Sequence, residues 1–359
     1  MKKSKIVTLF LMLSMLQGCN EPETIVTNIV HSDGSVTRHV EMRSSYEIDP
    51  NSYRVPVDST WATANSIEVS SEGDTTWVII AEKTFPAAES INAEYEAGED
   101  VNSYAVRSTS FTKSFRWFVT VFRFAEKVER TIHGGRPLAD YLSEDEMEFF
   151  VLPGSVSEGL LSGGDSLVYE AMSDRIDSLM YGWVMQGLVS GFVHSATGLF
   201  KNEGADIEII DGFRSKEDEL IESYTFEVDI DSLIPLVFRR EYEAGYGHII
   251  DSAIAVLSEG MDMHWSIRSY TLKTVMPGKL KGGNGYFTSS GEVAWQVKAE
   301  LFLFDDYEMW AESYHQNIWA WIVSFGFLLL AISGMIFRKP RHRQGGPGSP
   351  KKNRPMKSR

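Results

Sequence analysis

From Ile318 to Phe337 the chain runs through 20 residues, IWAWIVSFGFLLLAISGMIF, without a charged side chain. At about 1.5 Å rise per residue, an α-helix of that length crosses a hydrocarbon core of roughly 30 Å. The segment therefore predicts a transmembrane helix (318–337). Trp319 and Trp321 lie at its N-terminal edge, where indole rings favour the membrane–water interface. Nine Lys or Arg residues and no Asp or Glu follow, from Arg338 to Arg359, so the positive-inside rule predicts a basic cytoplasmic tail (338–359). Everything before the helix is expected outside the cytoplasm. In a cell with two membranes this means the inner one, with the main domain periplasmic, because outer-membrane spans are normally barrels.

The other end carries a second targeting signal. Met1-Lys2-Lys3-Ser4-Lys5, an apolar run from Ile6 to Leu16, and Gln17-Gly18-Cys19 follow the charged, apolar, small-residue order of a secretory signal. Leu16-Gln17-Gly18-Cys19 resembles a bacterial lipobox, whose cysteine is diacylated before cleavage in front of it. By that resemblance residues 1–18 are a signal peptide and Cys19 is the lipidated first residue of the mature chain. The other reading is an ordinary signal with a chance cysteine. Cys19 is the sole cysteine, so the outer domain (19–317) has no disulfide and depends on its core. Lipid and helix together predict a double attachment to one bilayer, with both ends of the domain returning to it.

The charge is strongly partitioned. Without the three lysines before Ile6 and the nine basic residues after Phe337, 22 of the chain's 34 Lys and Arg face all 50 Asp and Glu, a net charge near −28. Such a surface repels phosphate backbones, which argues against a nucleic-acid partner.

Within the outer domain, Glu23 to Val30 and Val36 to Met42 flank Asp33-Gly34, a hairpin signal. Further strands are expected at Thr76 to Ala81 and from Tyr104 to Val128. In the latter, Phe115, Trp117, Val119 and Val121 fall on one face and Phe118, Phe122 and Phe124 on the other, predicting one central strand covered on both sides. Ser143-Glu144-Asp145-Glu146 fits a capping box. Helices are expected from Ser166 to about His194, Ser215 to Ser223 and Asp231 to Ser258. Ser178 to Phe200 has no charged residue, but Gly182, Gln186, Gly187, Ser190, Gly191, His194, Ser195 and Gly198 dilute its hydrophobicity. A buried soluble helix is predicted there rather than a span. From Met263 the pattern is again β-like, through the Pro277-Gly278 turn and on to Val293–Phe304. The predicted fold class is α+β: an antiparallel sheet of N- and C-terminal strands, a helical insertion at about 138–260 pointing away from the membrane, and one C-terminal transmembrane helix. The alternative is a separate small β module next to the membrane.

The residues that carry chemistry are dispersed. The eight histidines form no His-Glu-x-x-His or His-x-His pair; His31 and His39 flank the hairpin turn, could face each other across it, and read as surface residues before metal ligands. Asp229 and Asp231 fit a helix entry, where carboxylates favour the dipole, better than a Ca²⁺ or acid–base pair; Asp305-Asp306 is the other close pair. Pro277 to Gly285 is Gly-rich and basic, but lacks the Gly-x-x-x-x-Gly-Lys-Ser/Thr spacing of a phosphate loop and reads as a hairpin connection. No Gly-x-Ser-x-Gly elbow occurs. Phe115-Arg116-Trp117-Phe118 reads as core packing before a sugar or peptide platform. Beyond lipidation of Cys19, no catalytic, cofactor-binding or metal-binding residue and no cofactor is predicted.

The lipobox start, the Thr27-Asn28-Ile29-Val30-His31-Ser32-Asp33-Gly34-Ser35 hairpin, the segment from Phe115 to Glu126, and Met276-Pro277-Gly278 resemble uncharacterised membrane-anchored envelope lipoproteins of Bacteroidota. That resemblance implies no activity and transfers no catalytic residue. The expected function is a noncatalytic envelope lipoprotein that binds, senses or scaffolds in the periplasm, with the bilayer and an envelope protein as partners. The alternatives are an envelope hydrolase with an unrecognised acidic site, or an accessory subunit of a membrane complex packed through Gly326, Ser333 and Gly334.

Overall fold

The computed structural model describes residues 22–49, 52–97, 106–152, 166–223 and 230–337. The signal segment, Cys19, Asp229 and the basic tail lie outside them.

Two sheets pack face to face. The first is built from β1 (Glu23–Val30), β2 (Val36–Ser44), β3 (Ala62–Val69) and β4 (Thr75–Phe85) near the N-terminus. It is completed by β7 (Tyr270–Val275), β9 (Tyr286–Phe287) and β10 (Val293–Val297) near the C-terminus, in the order β3-β4-β2-β1-β7-β10-β9. The second has the order β5-β6-β11-β8, from β5 (Arg107–Arg116), β6 (Val119–Val128), β8 (Lys279–Gly283) and β11 (Tyr307–Gln316). The α+β class and the joining of N- and C-terminal strands are thus as expected, with two sheets in place of one. One pair departs from antiparallel: β1 runs parallel to β7, Ile25 beside Thr271 and Ile29 beside Val275. Because the C-terminal strands complete both sheets, the β region before the last helix is not a separate module.

Strand alternation makes the core. Thr24, Val26, Asn28 and Val30 of β1 face inward, as do Phe122, Phe124, Glu126 and Val128 of β6, the period-2 pattern of a half-buried strand. The first hairpin closes with a longer loop than Asp33-Gly34 alone implies. His31 N donates to Ser35 O, Gly34 N donates to His31 O, and only Gly34 takes positive φ (97°).

The segment Tyr104 to Val128 is not one strand. It folds at Trp117-Phe118 into the β5–β6 hairpin, with Arg116 beside Val119 and Arg107 beside Val128. β6 is central as expected, but Phe115, Trp117 and Phe118 form the exposed tip. Four strands escaped the sequence reading: β8 and β9, in and just after the stretch read as a hairpin connection, and β3 and β11. β3 is exposed along its whole length and so carries no apolar alternation, and β11 alternates Met309, Ala311 and Ser313 inward with charged and aromatic residues outward.

Between β6 and β7 the chain builds a helical body: α2 (Glu144–Val151), α3 (Ser166–Asn202), α4 (Ile207–Arg214), α5 (Glu217–Ser223), α6 (Ile230–Val237), α7 (Arg239–Glu243) and α8 (Gly247–Ser266), after a short α1 (Asn92–Ala97) packed by the sheets. The expected capping box at α2 is present: Glu146 N donates to Ser143 Oγ at 3.4 Å and Ser143 N donates to Glu146 Oε2 at 2.8 Å. The expected helix Asp231–Ser258 is instead three. Pro235 cannot donate its amide and α6 stops two residues later, and Gly245 turns the chain at φ 93° before α8. α8 continues to Ser266, so Met263–Ser266 is helical, and the strand expected from Val293 to Phe304 ends at Val297.

α3 is a core helix, with Trp183, Val189, Phe192, Ala196 and Phe200 buried. Two of the glycines that dilute its hydrophobicity form a seam. A Cβ at Gly187 would overlap the Phe304 ring, and one at Gly191 would come within 2.7 Å of Ile132 Cγ2. The loop after β6 threads this seam between α3 and α8, held by Thr131 N to Phe302 O and Ile132 N to Leu303 O. Both ends of the helical insertion therefore leave the same end of the sheets.

The opposite end carries α9 (Ile318–Ile336), which follows β11 after the single residue Asn317. Among the described residues it is the one helix long and apolar enough to cross a membrane, and its side chains are almost all exposed. β1 does not start at this end. β7 runs towards the Pro277-Gly278 turn, where Pro277 O accepts from Ser313 Oγ, three residues before Gln316. β1, parallel to β7, therefore begins at the end occupied by the helical body. The parallel pairing overturns the expectation that both ends of the folded domain lie at one face.

Candidate functional site

Three places combine unusual exposure, burial or concavity. The first is the junction of the β5–β6 tip with α9. Phe115 stacks on Trp319 with centroids 6.3 Å apart, Trp117 meets the same indole edge-on at 5.2 Å, and Phe118 tilts against Trp321 at 4.4 Å. Packed though they are, Phe115, Trp117 and Phe118 remain 58, 47 and 38% exposed. Trp117 Nε1 donates to Ser324 Oγ at 2.9 Å. Asn317 ties the tip to the helix: its Nδ2 donates to Arg116 O and Trp117 O, its N to Phe118 O, and its Oδ1 accepts from Thr120 Oγ1. One side chain and its own amide thus occupy three successive carbonyls of the turn.

The second is an ionic cluster between the sheets. Glu126 accepts from Arg38 at 2.5 Å and from Arg107 at 2.9 Å, and all three side chains are buried. Arg38 also donates to Asn28 Oδ1 (2.8 Å) and Tyr95 Oη (3.0 Å). Arg107 donates to Tyr270 Oη and lies between the Tyr95 and Tyr270 rings, 5.1 and 5.4 Å from their centroids. Burial pushes Glu126 towards its neutral form, but the two guanidinium groups outweigh it and hold the carboxyl below its ordinary value. Burial likewise opposes charge on Arg38 and Arg107, yet Glu126 and the tyrosines keep both above theirs. Burial also raises the Tyr270 phenol, so Tyr270 stays protonated. The cluster pins β1, β2 and β7 of one sheet to β5 and β6 of the other. Neither of the two clefts described next reaches it, so it is a structural lock rather than a reactive centre.

The third is a pair of half-open clefts on the helical body, of about 300 and 420 Å³, meeting at His194. The smaller is lined by Ser190, Thr197, Lys201, Arg214 and Glu217; the larger runs between His133, Val256 and Glu259. The His133 and His194 rings are 6.5 Å apart. Gly134, at φ 99°, brings the loop against the α3 backbone, where a Cβ would overlap His194. Ser190 Oγ donates to Glu217 Oε1 at 2.5 Å, so its hydroxyl is directed at a carboxylate and no serine–imidazole pair forms. Lys201 and Arg214 make no ion pair among the described residues. In an acidic domain they form a local cationic rim.

The positions singled out in the sequence fall elsewhere. His31 Nε2 meets Thr37 Oγ1 at 3.1 Å while His39 lies 3.4 Å from Glu82, so the two histidines do not face each other. Asp306 accepts from Arg130 Nε (2.9 Å) and pairs with Lys127 (2.6 Å); these bonds hold its carboxyl well below the usual range and make it a latch on the strand ends. Asp231 lies in the first turn of α6. Of the Gly-rich stretch, Lys279–Gly283 is the edge strand β8. Among the described residues no group of three or more His, Cys, Asp or Glu is placed to hold a metal ion. The buried cluster was missed because Arg38, Glu126 and Arg107 are far apart in sequence. The one local signal was a charged residue, Arg38 or Glu126, at an inward position of an otherwise apolar alternation in β2 and β6.

No family model and no curated protein matches the chain. Among solved structures, the folded domain of LppM from Mycobacterium tuberculosis aligns over 83% of this chain and 92% of that one, at 7% identity and a TM-score of 0.26, a likeness too slight to carry fold or function. The resemblance to Bacteroidota envelope lipoproteins therefore rests on its motifs alone.

Proposed function

We propose that this chain is a noncatalytic envelope protein, anchored in the inner membrane by α9 and by lipid on Cys19, whose acidic domain binds a partner in the periplasm. The observation that carries this reading is α9 itself: 19 residues, apolar, almost wholly exposed, and continuous with a core strand of a folded domain. Left in water, twelve or more large apolar side chains forgo roughly 1.5–3 kcal/mol each of burial free energy, which supports the reading of the helix as a membrane span.

A binding role is supported by the clefts at His194, which are open and carry a cationic rim of Lys201 and Arg214. Crosslinking in intact cells followed by purification from membranes tests it. Recovery of a reproducible envelope partner, reduced by Lys201→Glu with Arg214→Glu, is the expected result; unchanged recovery removes the cleft from the proposal, and no partner at all counts against binding. Acyl labelling that persists in Cys19→Ser would refute lipidation of that residue.

A further inference from the structure

We infer that the tip of the β5–β6 hairpin is itself immersed in the periplasmic leaflet of the bilayer, so that the domain meets the membrane through a collar of five aromatic rings. This rests on the reading of α9 as a membrane span. The collar consists of Phe115, Trp117 and Phe118 on the hairpin and Trp319 and Trp321 on the helix, in ring contact with one another.

Length decides the depth. Trp117 reaches Ser324, six residues into the helix or about 9 Å along its axis. With the tip in water, the segment from Ile318 to Ser324 is withdrawn as well. Phe325 to Phe337 then remains, 13 residues or about 20 Å, to cross a core of about 30 Å. Such a span is too short. With the tip immersed, all 20 residues from Ile318 to Phe337 are available and the lengths agree.

The hydrogen bonding fits the same surroundings. A turn in water leaves its carbonyls to the solvent, whereas lipid offers them no donor, and each unsatisfied group there costs several kcal/mol. Here Arg116 O, Trp117 O and Phe118 O are all taken by Asn317, and the only indole donor at the very tip is taken by Ser324. The rings stay between 38 and 58% exposed after packing on α9, an apolar surface that amphipathic Trp and Phe present to the interface. Arg116, exposed in the turn, is placed for lipid phosphates. It is a cation in a domain whose overall charge repels an anionic membrane.

The test uses the full chain carrying Cys19→Ser, reconstituted in phosphatidylethanolamine and phosphatidylglycerol vesicles. An environment-sensitive fluorophore is attached at a single new cysteine in Phe118→Cys, in Leu329→Cys within the span, or in Glu72→Cys on the distant β3–β4 turn. Quenching is measured with nitroxide lipids labelled near the headgroup or near the chain end, and with aqueous iodide. The expected result is that the Phe118 probe is quenched several-fold more than the Glu72 probe by the shallow nitroxide and is shielded from iodide, while the Leu329 probe responds to the deep one. Iodide access at Phe118 equal to that at Glu72, with Leu329 still lipid-quenched, overturns the insertion and leaves the span intact. Iodide access at Leu329 overturns both. Phe115→Cys repeats the measurement at the more exposed ring if replacing Phe118 loosens the tip.

Discussion

Glu126 is the residue on which the two sheets most depend. Removing it leaves two guanidinium groups buried without their anion, a loss of the kind that costs about 3–5 kcal/mol. Glu126→Ala is expected to lower the unfolding free energy obtained from urea titration by that amount, whereas replacing Arg38, Arg107 and Glu126 together with Met, Met and Leu is expected to cost much less. The same carboxylate sets an acid limit. Its folded value lies below the ordinary 4.5, so its contribution is complete above about pH 4.5 and is lost as pH falls towards the folded value. Unfolding followed by circular dichroism should show stability falling below pH 4.5 in the parent and a flatter profile in the triple variant. Asn317 is a second such residue. Asn317→Ala gives up three bonds to the hairpin tip, and is expected to cost about 1–3 kcal/mol and to raise hydrogen exchange at Arg116–Val119.

At the scale of elements, α3 separates two kinds of glycine that look alike in sequence. Gly187→Ala drives a methyl group into Phe304 and is expected to destabilise by about 1–3 kcal/mol. Gly198→Ala meets nothing within 4 Å and is expected to stabilise by about 0.5–1 kcal/mol through helix propensity. Thermal melts of the two variants distinguish them. No local pattern sorts these residues: the glycines and polar side chains mark a helix unlike a membrane span, as the buried α3 is, but the seam exists because Phe304, more than 100 positions later, packs there. The β5–β6 hairpin was misread for a related reason. Aromatic alternation signals burial, and whether the burying medium is protein or lipid depends on where the strand ends in the fold.

For the whole molecule, the separation of the two ends sets its posture. β5 extends about 30 Å from Arg116 at the tip to Arg107. Arg107 bonds Tyr270, at the start of β7, and β1 begins two residues before the pairing of Ile25 with Thr271. Glu23 thus stands about 30 Å or more from the tip, while four residues from Cys19 to Glu23 reach at most about 14 Å. Lipid on Cys19 in the bilayer that holds α9 therefore requires the sheets to lean towards the membrane plane. Energy transfer from a donor at Glu208→Cys to acceptors on the lipid surface should place the helical body closer to the membrane in the acylated chain than in Cys19→Ser. Equal heights would show that the lipid is not in that bilayer.

What the sequence determined by itself is what local composition and period dictate. A 20-residue uncharged run and its basic flank, the capping box at Ser143, the amphipathic strands and the α+β class are each written within a short window, because helix length, alternation and capping depend on near neighbours. Only the tertiary structure decided the rest. It brought Arg38, Arg107 and Glu126 into one buried cluster, set β1 parallel to β7 so that the two ends of the domain lie apart, and placed an aromatic hairpin beside the start of α9. Those outcomes depend on which distant surfaces meet, and no local pattern encodes that choice.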